Sequence, residues 1–498
     1  MQHVTIEKTP ELIIRNPANG VELGRVSVTP TEDVAGIVAR CRQAQGRWAE
    51  TPWRERRAVI RRWWKLLARD ADAWADALRA EVGKPRSEAM AEVVATLDAL
   101  RWTVKRAGPA LADERIGAGW QRWLLVPSAR LRWRPIGVVG MIGTWNYPLL
   151  LAAPAIAQGL AAGCGLVWKP SELAALAGTR LQDSLTEAGI PPGLVSTVQG
   201  GADVGRALID ADIDKGFFTG GITNGRKVLE SLARRGIPAV AELSGFDPAI
   251  VLPDAPLEST ARALAWSAFV GSGQTCIAVK RIYVVGDPTP WVDALAGLAR
   301  SLRVGDPSTG NIDVGPLISA DARDRFERFI GAAVESGARI AAGGDPLPGP
   351  GWFFAPTVLE AETADVETTL AGVFGPVVLV RGVASAEEAV KAANTGPYGL
   401  AASVWGRDRQ AARAMADRLD AGMIAVNDAV APSAHAAAPF GGVKGSGIGR
   451  TRGLLGLREF VQPQTLHTRR AGGLRPQLFP YSRRVERAMT VYLRMFHG

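Results

Sequence analysis

The stretch GVVGMIGTWNYP, residues 137–148, is a short apolar run that ends at a glycine and passes into small, aromatic and polar residues. Such a run reads as a buried strand followed by a turn, and it is too short for an independent helix. Three further runs of this type follow it: GLVWKP (165–170), VSTVQG (195–200) and KGFFTG (215–220). They are separated by helical stretches of about ten to fifteen residues, the signature of βαβ units in a parallel sheet. A second alternating series begins at PAIVLP (248–253) and runs through KRIYVV (280–285), ARIAAGG (338–344), PVVLVRG (376–382) and SVWGRD (403–408) to GMIAVND (422–428). The pattern predicts an α/β protein with two α/β domains divided near Leu243. Upstream, residues 31–106 carry apolar residues at helical spacing, as in AVIRRWWKLLARDADAWADALRAEVGKP (58–85), with a stop expected at Gly83 to Pro85. No solenoid repeat or low-complexity linker is present.

Composition narrows the function. The 498 residues are 47% apolar and carry 58 Lys and Arg against 49 Asp and Glu, a formal charge of +9. That excess raises nucleic acid as a partner, but the arginines are interspersed with acidic residues in helical patterns and form no basic tail or recognition motif, so no nucleic-acid partner is expected. Cys41, Cys164 and Cys276 are too few and too scattered for a disulfide framework or a zinc site, and the four histidines are isolated, so no metal is expected. The N-terminus lacks a basic segment followed by an apolar stretch, and no apolar run approaches the ~20 residues of a membrane span. These features predict a reduced, cytoplasmic protein. Cys41, on a helical pattern, and Cys164, at a helix-to-strand junction, read as packing residues.

Cys276 differs from the other two. It lies in GSGQTCIAVKR (271–281), after a glycine-rich bend where backbone can approach a ligand closely. A catalytic thiolate needs an oxyanion donor, a base and an acceptor for what leaves. Asn146, in the turn after the 137–143 strand, can aim an amide out of the sheet end; Lys169 and Glu172 follow the next strand; FTGGITNG (218–225) joins a strand to a helix start; and Glu242 ends a strand before a tight turn in AELSGFDP (241–248). Each signal is weak alone. Their order along about 130 residues, every one at a βα junction, is hard to obtain by chance.

With these residues in place the sequence resembles the aldehyde dehydrogenase superfamily, of the NAD(P)-dependent, non-phosphorylating, hydrolytic type. The resemblance runs from NPANGVELGRV (16–26) to GLREF (456–460) and includes PFGGVKGSGIGR (439–450). It implies that Cys276 is the nucleophile, that Glu242 activates the hydrolytic water, and that the Asn146 amide with the Cys276 backbone N–H holds the oxyanion. It implies cofactor contacts from Trp145, Lys169, Glu172, Gly220, Gly221, Gly225, Leu243 and Phe374, and an aldehyde channel lined by Tyr147, Thr275, Ile277 and Phe440. The expected cofactor is NAD, because Glu172 repels a 2′-phosphate, with NADP as the second candidate beside Lys169. The rivals are an acylating dehydrogenase, against which Glu242 argues, an NADP-dependent semialdehyde reductase of the same fold using an acyl phosphate, against which the absence of a basic cluster near Cys276 argues, and a member of the fold that has lost its activity.

The implied architecture is a Rossmann-type dinucleotide-binding domain from 1–118 and 136–243, a catalytic domain from 244–450, oligomerisation strands at 119–135 and 451–470, and an amphipathic tail at 471–498. A homodimer or homotetramer is expected. In the tail, Val485, Met489, Tyr492 and Phe496 share one helical face, with Arg484, Glu486, Arg487 and Arg494 around the rest. That face suits a channel mouth, a neighbouring subunit or a membrane surface. It points to apolar aldehydes, whether long-chain, isoprenoid or carotenoid-like, or aromatic. One departure stands out in LAGVFGPVV (370–378): the family usually places a ribose-binding Glu two residues before the Phe, and here that position is Gly372. On sequence, Gly372→Glu is expected to tighten dinucleotide binding.

Overall fold

The computed structural model describes residues 10–118, 127–469 and 478–498. Helices Thr31–Glu50, Trp53–Arg69, Ala71–Val82 and Arg86–Ala110 occupy the stretch with helical spacing. Gly83 closes the third of them with φ of 78°, and a Cβ there would strike the rings of Pro316 and Pro17, so the predicted stop is a position where only glycine fits. The first helix lays Val34, Val38 and Cys41 onto Val138 and Val167 of the first sheet.

That sheet has six strands in the order Gly447–Ile448, Ala239–Glu242, Lys215–Thr219, Val138–Ile142, Gly165–Lys169 and Val195–Thr197. All neighbours are parallel except the first pair. Strand order reverses between Val138–Ile142 and Lys215–Thr219, and a reversal opens a crevice beyond the carboxyl ends of the strands, where ligands of doubly wound sheets bind. The second sheet has seven strands, Arg339–Ala342, Thr357–Glu360, Val377–Val383, Val279–Val285, Asp247–Val251, Ala401–Trp405 and Met423–Val426, again parallel except for the first pair. Its central strands are buried by the helices Leu257–Phe269 and Thr289–Ser301 on one face and Ala386–Asn394 and Arg409–Ala416 on the other, which explains their continuous apolar character.

Both sheets belong to one compact unit, built from the chain up to Gly108 and from Pro135–Val461. A second unit, Pro109–Arg134 with Gln462–Gly498, holds most of a three-stranded sheet in the order Val461–His467, Ala129–Pro135, Glu114–Ile116, and the helix Arg483–Phe496. The structure differs from the expected division in two places. Gly447–Ile448 adds an antiparallel edge to the first sheet, beside Glu242, so the chain returns to that sheet within the segment assigned to catalysis. Gly453–Arg458, inside the expected bridging strands, is a helix because its Leu and Gly residues pack against the buried helix Ala153–Ala162. Of the expected hairpin at 119–135, residues 119–126 lie outside the described residues. The strand Thr357–Glu360 was not legible, since three of its four residues are buried and no alternation marks it.

Cys41 and Cys164 are fully buried, and their thiols donate to the carbonyls of Leu194 at 3.3 Å and Phe460 at 3.1 Å. Burial pushes the first up to about 12 and the second to about 11. Both are inert packing residues. Among the described residues no helix is long and apolar enough to cross a membrane, and no group of three His, Cys, Asp or Glu side chains could hold a metal ion.

The return of the chain to the first sheet is pinned by Lys215, whose ammonium donates to the Glu459 carbonyl at 2.7 Å and its carboxylate at 2.5 Å. Lys215→Met removes both bonds and leaves the carboxylate with less compensation. We expect it to lower stability by about 2–3 kcal/mol, read as a shift in the urea midpoint; an unshifted midpoint would mean that the ion pair is not what holds this return.

Candidate active site

A groove of about 510 Å³ lies at the strand-order reversal of the first sheet. Gly143 to Trp145, beyond the strand Val138–Ile142, form one wall, and Thr219 to Gly221 form another; Lys169, Ser171 and Glu172 lie beyond the neighbouring strand. The helix Ile222–Arg234 starts at the groove with Gly221 in the capping position, and nothing lies within 4 Å of where a Gly221 Cβ would be. A bare helix start with exposed N–H groups suits a phosphate, and Arg206, Asn224 and Lys227 line the same groove. The Lys169 ammonium donates to Pro170 O at 3.0 Å and pairs with the half-exposed Glu172 carboxylate at 3.4 Å; burial pulls its pKa down, which Glu172 opposes. Length, polarity and position fit an elongated dinucleotide.

Three residues expected in this group, Gly225, Leu243 and Phe374, are not on the groove wall. Gly225 faces Leu243, where a Cβ would sit 2.3 Å from Leu243 Cδ2, and Leu243 is buried with Phe218 and Ala241. Their work is to seat the helix start close to the sheet. Phe374 meets Trp145 edge-on at 5.7 Å between ring centres. Gly372 is exposed with φ of 92°, and a Cβ there would lie 3.3 Å from the Tyr398 hydroxyl. A glutamate at 372 would therefore sit in left-handed backbone at about 1–3 kcal/mol, comparable with one charge-assisted hydrogen bond, so the sequence expectation for Gly372→Glu does not carry over unchanged.

Cys276 opens onto a separate cavity of about 240 Å³. The chain reaches it through Gly271, Ser272 and Gly273, consecutive residues with φ of 63°, 55° and 66°. Gly273 is obligatory, since a Cβ would lie 2.1 Å from Gly375 O, while Ser272 secures its left-handed position by donating to Gly315 O at 2.9 Å. Next in sequence, Gln274 is gripped on three sides: its amide nitrogen donates to Gly271 O and Pro316 O, and its amide oxygen accepts from Ile318 N. Its own carbonyl accepts 2.9 Å from Asn146 Nδ2. This bond joins the turn of the first sheet to the cysteine loop of the second and leaves the other Asn146 N–H available.

Tyr147, Thr275, Ile277 and Phe440 all line the cavity with Cys276. Thr275 donates its hydroxyl proton to Val270 O at 3.1 Å, so in the 2.9 Å Tyr147–Thr275 contact the phenol is the donor. The Lys84 ammonium lies 3.5 Å over the Tyr147 ring and pairs with the buried Glu92 carboxylate. Glu92 in turn accepts from Leu149 N at 3.0 Å and Leu150 N at 3.1 Å, and Glu88 accepts from Gly271 N at 3.0 Å. The helix Arg86–Ala110 thus braces the loops that carry Asn146 and Cys276 with carboxylates. Sequence reading missed Lys84, Glu88, Glu92 and Gln274 because they read as ordinary helix and loop residues. It also missed Arg452, whose side chain reaches the cavity wall from beyond the glycine-rich loop.

Charge at this site is dominated by burial. Glu242 is 5% exposed and its carboxyl is pushed up to about 8 by burial, against the pull of Arg452 and Arg450. Burial pushes the Cys276 thiol up to about 12, reinforced by Asp247 and Glu242 and opposed by Arg452. A thiol, a side-chain amide bonded to the loop that carries it and a buried carboxyl with its pKa near neutrality are the groups that acyl transfer with hydrolysis requires.

Comparison with known proteins covers most of the chain. The profile described as the aldehyde dehydrogenase family matches residues 4–466. A Mycolicibacterium smegmatis protein named for succinate-semialdehyde dehydrogenase activity with NADP(+) is 36% identical over 481 residues, covering 95% of this chain and 92% of the relative. A Methylomonas 4,4'-diapolycopene aldehyde oxidase is 35% identical over 472 residues, covering 94% and 88%. The solved structure of a Mycobacterium tuberculosis aldehyde dehydrogenase complexed with NAD+ superposes with a TM-score of 0.89 at 32% identity, covering 94% of this chain and 96% of that one.

A carboxyl raised from 4.5 to about 8 holds its proton more tightly in the folded state. Its favourable contribution is therefore complete below pH 4.5 and is lost as pH rises toward 8. Glu242→Gln cannot ionise and escapes this loss. We expect the variant to match the parent in urea unfolding at pH 4 and to exceed it by about 2–5 kcal/mol at pH 9; an equal difference at both pH values would show that Glu242 is not held neutral by burial.

Proposed function

The chain belongs to the aldehyde dehydrogenase family, and from that premise we propose that Cys276, Asn146 and Glu242 carry the oxidation of an apolar aldehyde to its acid. Aldehyde oxidation with NAD(P) is the activity of the family, and this chain is an oxidoreductase of that kind. The observation supporting the residue assignment is the 2.9 Å bond from the Asn146 amide to the carbonyl of Gln274, two residues before Cys276, with Glu242 among the charges that act on the Cys276 thiol.

In this reading the Cys276 thiolate forms a bond to the carbonyl carbon, and the π electrons move onto oxygen, where the free Asn146 N–H and the Cys276 backbone N–H stabilise them. The tetrahedral adduct cannot expel a carbon substituent and collapses to a thioester by losing hydride. The dinucleotide, when bound in the groove lined by Lys169, Glu172 and Gly221, supplies the hydride acceptor. Glu242 then takes a proton from water as the water oxygen attacks the thioester, and the Cys276 thiolate leaves as the acid forms. A carboxyl near 8 is a base matched to neutral pH. A hydrolytic Glu242 separates this reading from an acylating dehydrogenase. NAD is placed ahead of NADP because Glu172 disfavours a 2′-phosphate.

Leu150, Leu151, Val270, Ile277 and Val430 give the cavity apolar walls. A second cavity of about 230 Å³, lined by Met423, Ile424, Pro432 and Pro439, shares Ile277, Ser433 and Phe440 with it. Together they suit a long apolar chain better than a short anionic one. The chain is placed in the cytoplasm as a homodimer or homotetramer that uses the three-stranded sheet, whose outer strands Glu114–Ile116 and Val461–His467 are largely exposed.

The tail helix Arg483–Phe496 is read as a membrane-surface element. Arg483, Arg487 and Arg494 share one face with Thr490, while Val485, Met489 and Phe496 lie opposite, and Met489 and Phe496 are each more than half exposed. An exposed apolar face backed by arginines is complementary to an anionic bilayer.

Two tests separate these claims. Glu242→Gln mixed with decanal and NAD should form one equivalent of NADH per site and a covalent acyl adduct on Cys276, with steady-state turnover lowered about 10²–10⁴-fold. Parental turnover in the variant would remove Glu242 from the mechanism, and a parent that prefers succinate semialdehyde to decanal would refute the apolar substrate. The full chain should co-sediment with phosphatidylglycerol vesicles and not with phosphatidylcholine vesicles, and removal of residues 478–498 should abolish this; binding that survives the removal, or no binding at all, refutes the tail assignment.

A further inference from the structure

Arg452 sits where a buried cation has no ordinary reason to be. It is 7% exposed, and its backbone has φ of 59° and ψ of 172°, a region that L side chains rarely adopt. The following residue, Gly453, also has positive φ and admits no side chain, since a Cβ would lie 2.3 Å from Ala437 O. This strained turn directs the Arg452 side chain into the wall of the cavity that Cys276 opens onto. Two contacts fix the guanidinium: it donates to the Ser433 carbonyl, and it lies 4.9 Å from the Phe440 ring centre. Ser433 and Phe440 line the same cavity. Among the described residues no carboxylate pairs with this guanidinium at ion-pair distance, although a buried cation is normally compensated by an anion.

The groups around it suggest that anion. The charges that act on Arg452 are those of Glu242, Cys276 and Tyr147 when ionised. Among the groups acting on Cys276, Asp247 and Glu242 are acidic and Arg452 is the cation. From the helix Arg86–Ala110 the cavity also meets Glu88 and Glu92, with Lys84 committed to Glu92 and to the Tyr147 ring. Lys280, on the strand that follows Cys276, spends its ammonium on Gly273 O and Gly375 O, and Arg450 spends N–H groups on Gly442 O and Gly449 O. Among the described residues Arg452 is therefore the positive charge left to face the sulfur.

We propose that Arg452 is the electrostatic partner that sustains the Cys276 thiolate, so that the nucleophile forms in a pocket whose other charges oppose it. The proton leaves the sulfur for water, the electron pair stays on sulfur, and the negative charge faces the guanidinium. After the thioester forms, the same cation faces the Glu242 carboxylate as the base for hydrolysis. Arg452 then serves one anion at a time, first sulfur and then carboxylate. It acts through Cys276 and is a positioning residue. The proposal rests on the assignment of Cys276 as nucleophile, but its test needs no turnover.

The test is the rate of carbamidomethylation of Cys276 by iodoacetamide from pH 6 to 10, in which the thiolate displaces iodide and forms a carbon–sulfur bond. The modified peptide is read by mass, with Cys276→Ser as the blank. Arg452→Gln keeps an amide donor for Ser433 O and removes the charge; Arg452→Lys keeps the charge. We expect Arg452→Gln to react at least tenfold more slowly than the parent at pH 7.5, with its pH profile displaced upward by at least one unit, and Arg452→Lys to recover most of the rate. Should Arg452→Gln fail to fold, the upward displacement must appear in Arg452→Met; folding is checked by circular dichroism and by the urea midpoint. An unchanged profile in a folded, uncharged variant overturns the proposal. So does a variant with parental alkylation that loses activity only toward aldehydes bearing a carboxylate, because Arg452 would then be a substrate clamp. Loss of turnover in Cys276→Ser reports on the nucleophile assignment separately.

Discussion

One hydrogen bond carries the geometry of this protein: Asn146 Nδ2 to the Gln274 carbonyl, 2.9 Å, between residues 128 apart. Asn146 stands on the turn after a central strand of the first sheet and Gln274 on the loop that delivers Cys276 to the second. Neither loop has regular structure of its own, so each is shaped by what grips it. Gln274 is locked by Gly271, Pro316 and Ile318, and the segment after Asn146 is locked by the Glu92 carboxylate on Leu149 N and Leu150 N. With both sides fixed, the Asn146 amide stays bonded to the loop that carries the thiol, and fixed donors of this kind are what an oxyanion site requires.

The second constraint is charge in a dry place. Burial holds Glu242, Asp247 and Cys276 toward their neutral forms and pulls Lys280 down to about 7. A site of this kind favours few charges at once. Chemistry that moves one negative charge from sulfur to oxygen and then calls on Glu242 as base keeps to that limit, and a fixed guanidinium is the natural counterweight. The strained backbone at Arg452 is offset by the bond to Ser433 O and the packing on Phe440.

How much of this was legible in the sequence follows from the range of each interaction. The strands at 138–142, 165–169 and 215–219 are continuous apolar runs between helices, so local pattern alone identifies them. Asn146, Glu242 and Cys276 stand at strand ends beside glycine turns, a local signal whose order along the chain pointed to a family. Gly225 and Leu243 were legible as a motif but not as packing partners, because the 2.3 Å approach exists only once the helix meets the sheet. Glu88 and Glu92 look like the solvated face of a helix, and only the tertiary fold turns them inward onto Gly271, Leu149 and Leu150. Arg452 follows a glycine-rich loop in a run of common residues, and its left-handed backbone has no sequence signature. The antiparallel edge at Gly447–Ile448 is two residues long, below what any periodicity can register.

The claim on which the rest depends is that the two loops meet to form one oxyanion site at Cys276. The direct measurement is the single-turnover rate of NADH formation in Asn146→Ala, taken with its rate of Cys276 alkylation. The account predicts that NADH formation falls about 10²–10³-fold while alkylation stays near parental, since the thiol remains and only the oxyanion donor is gone. A variant that forms NADH at the parental rate would contradict it.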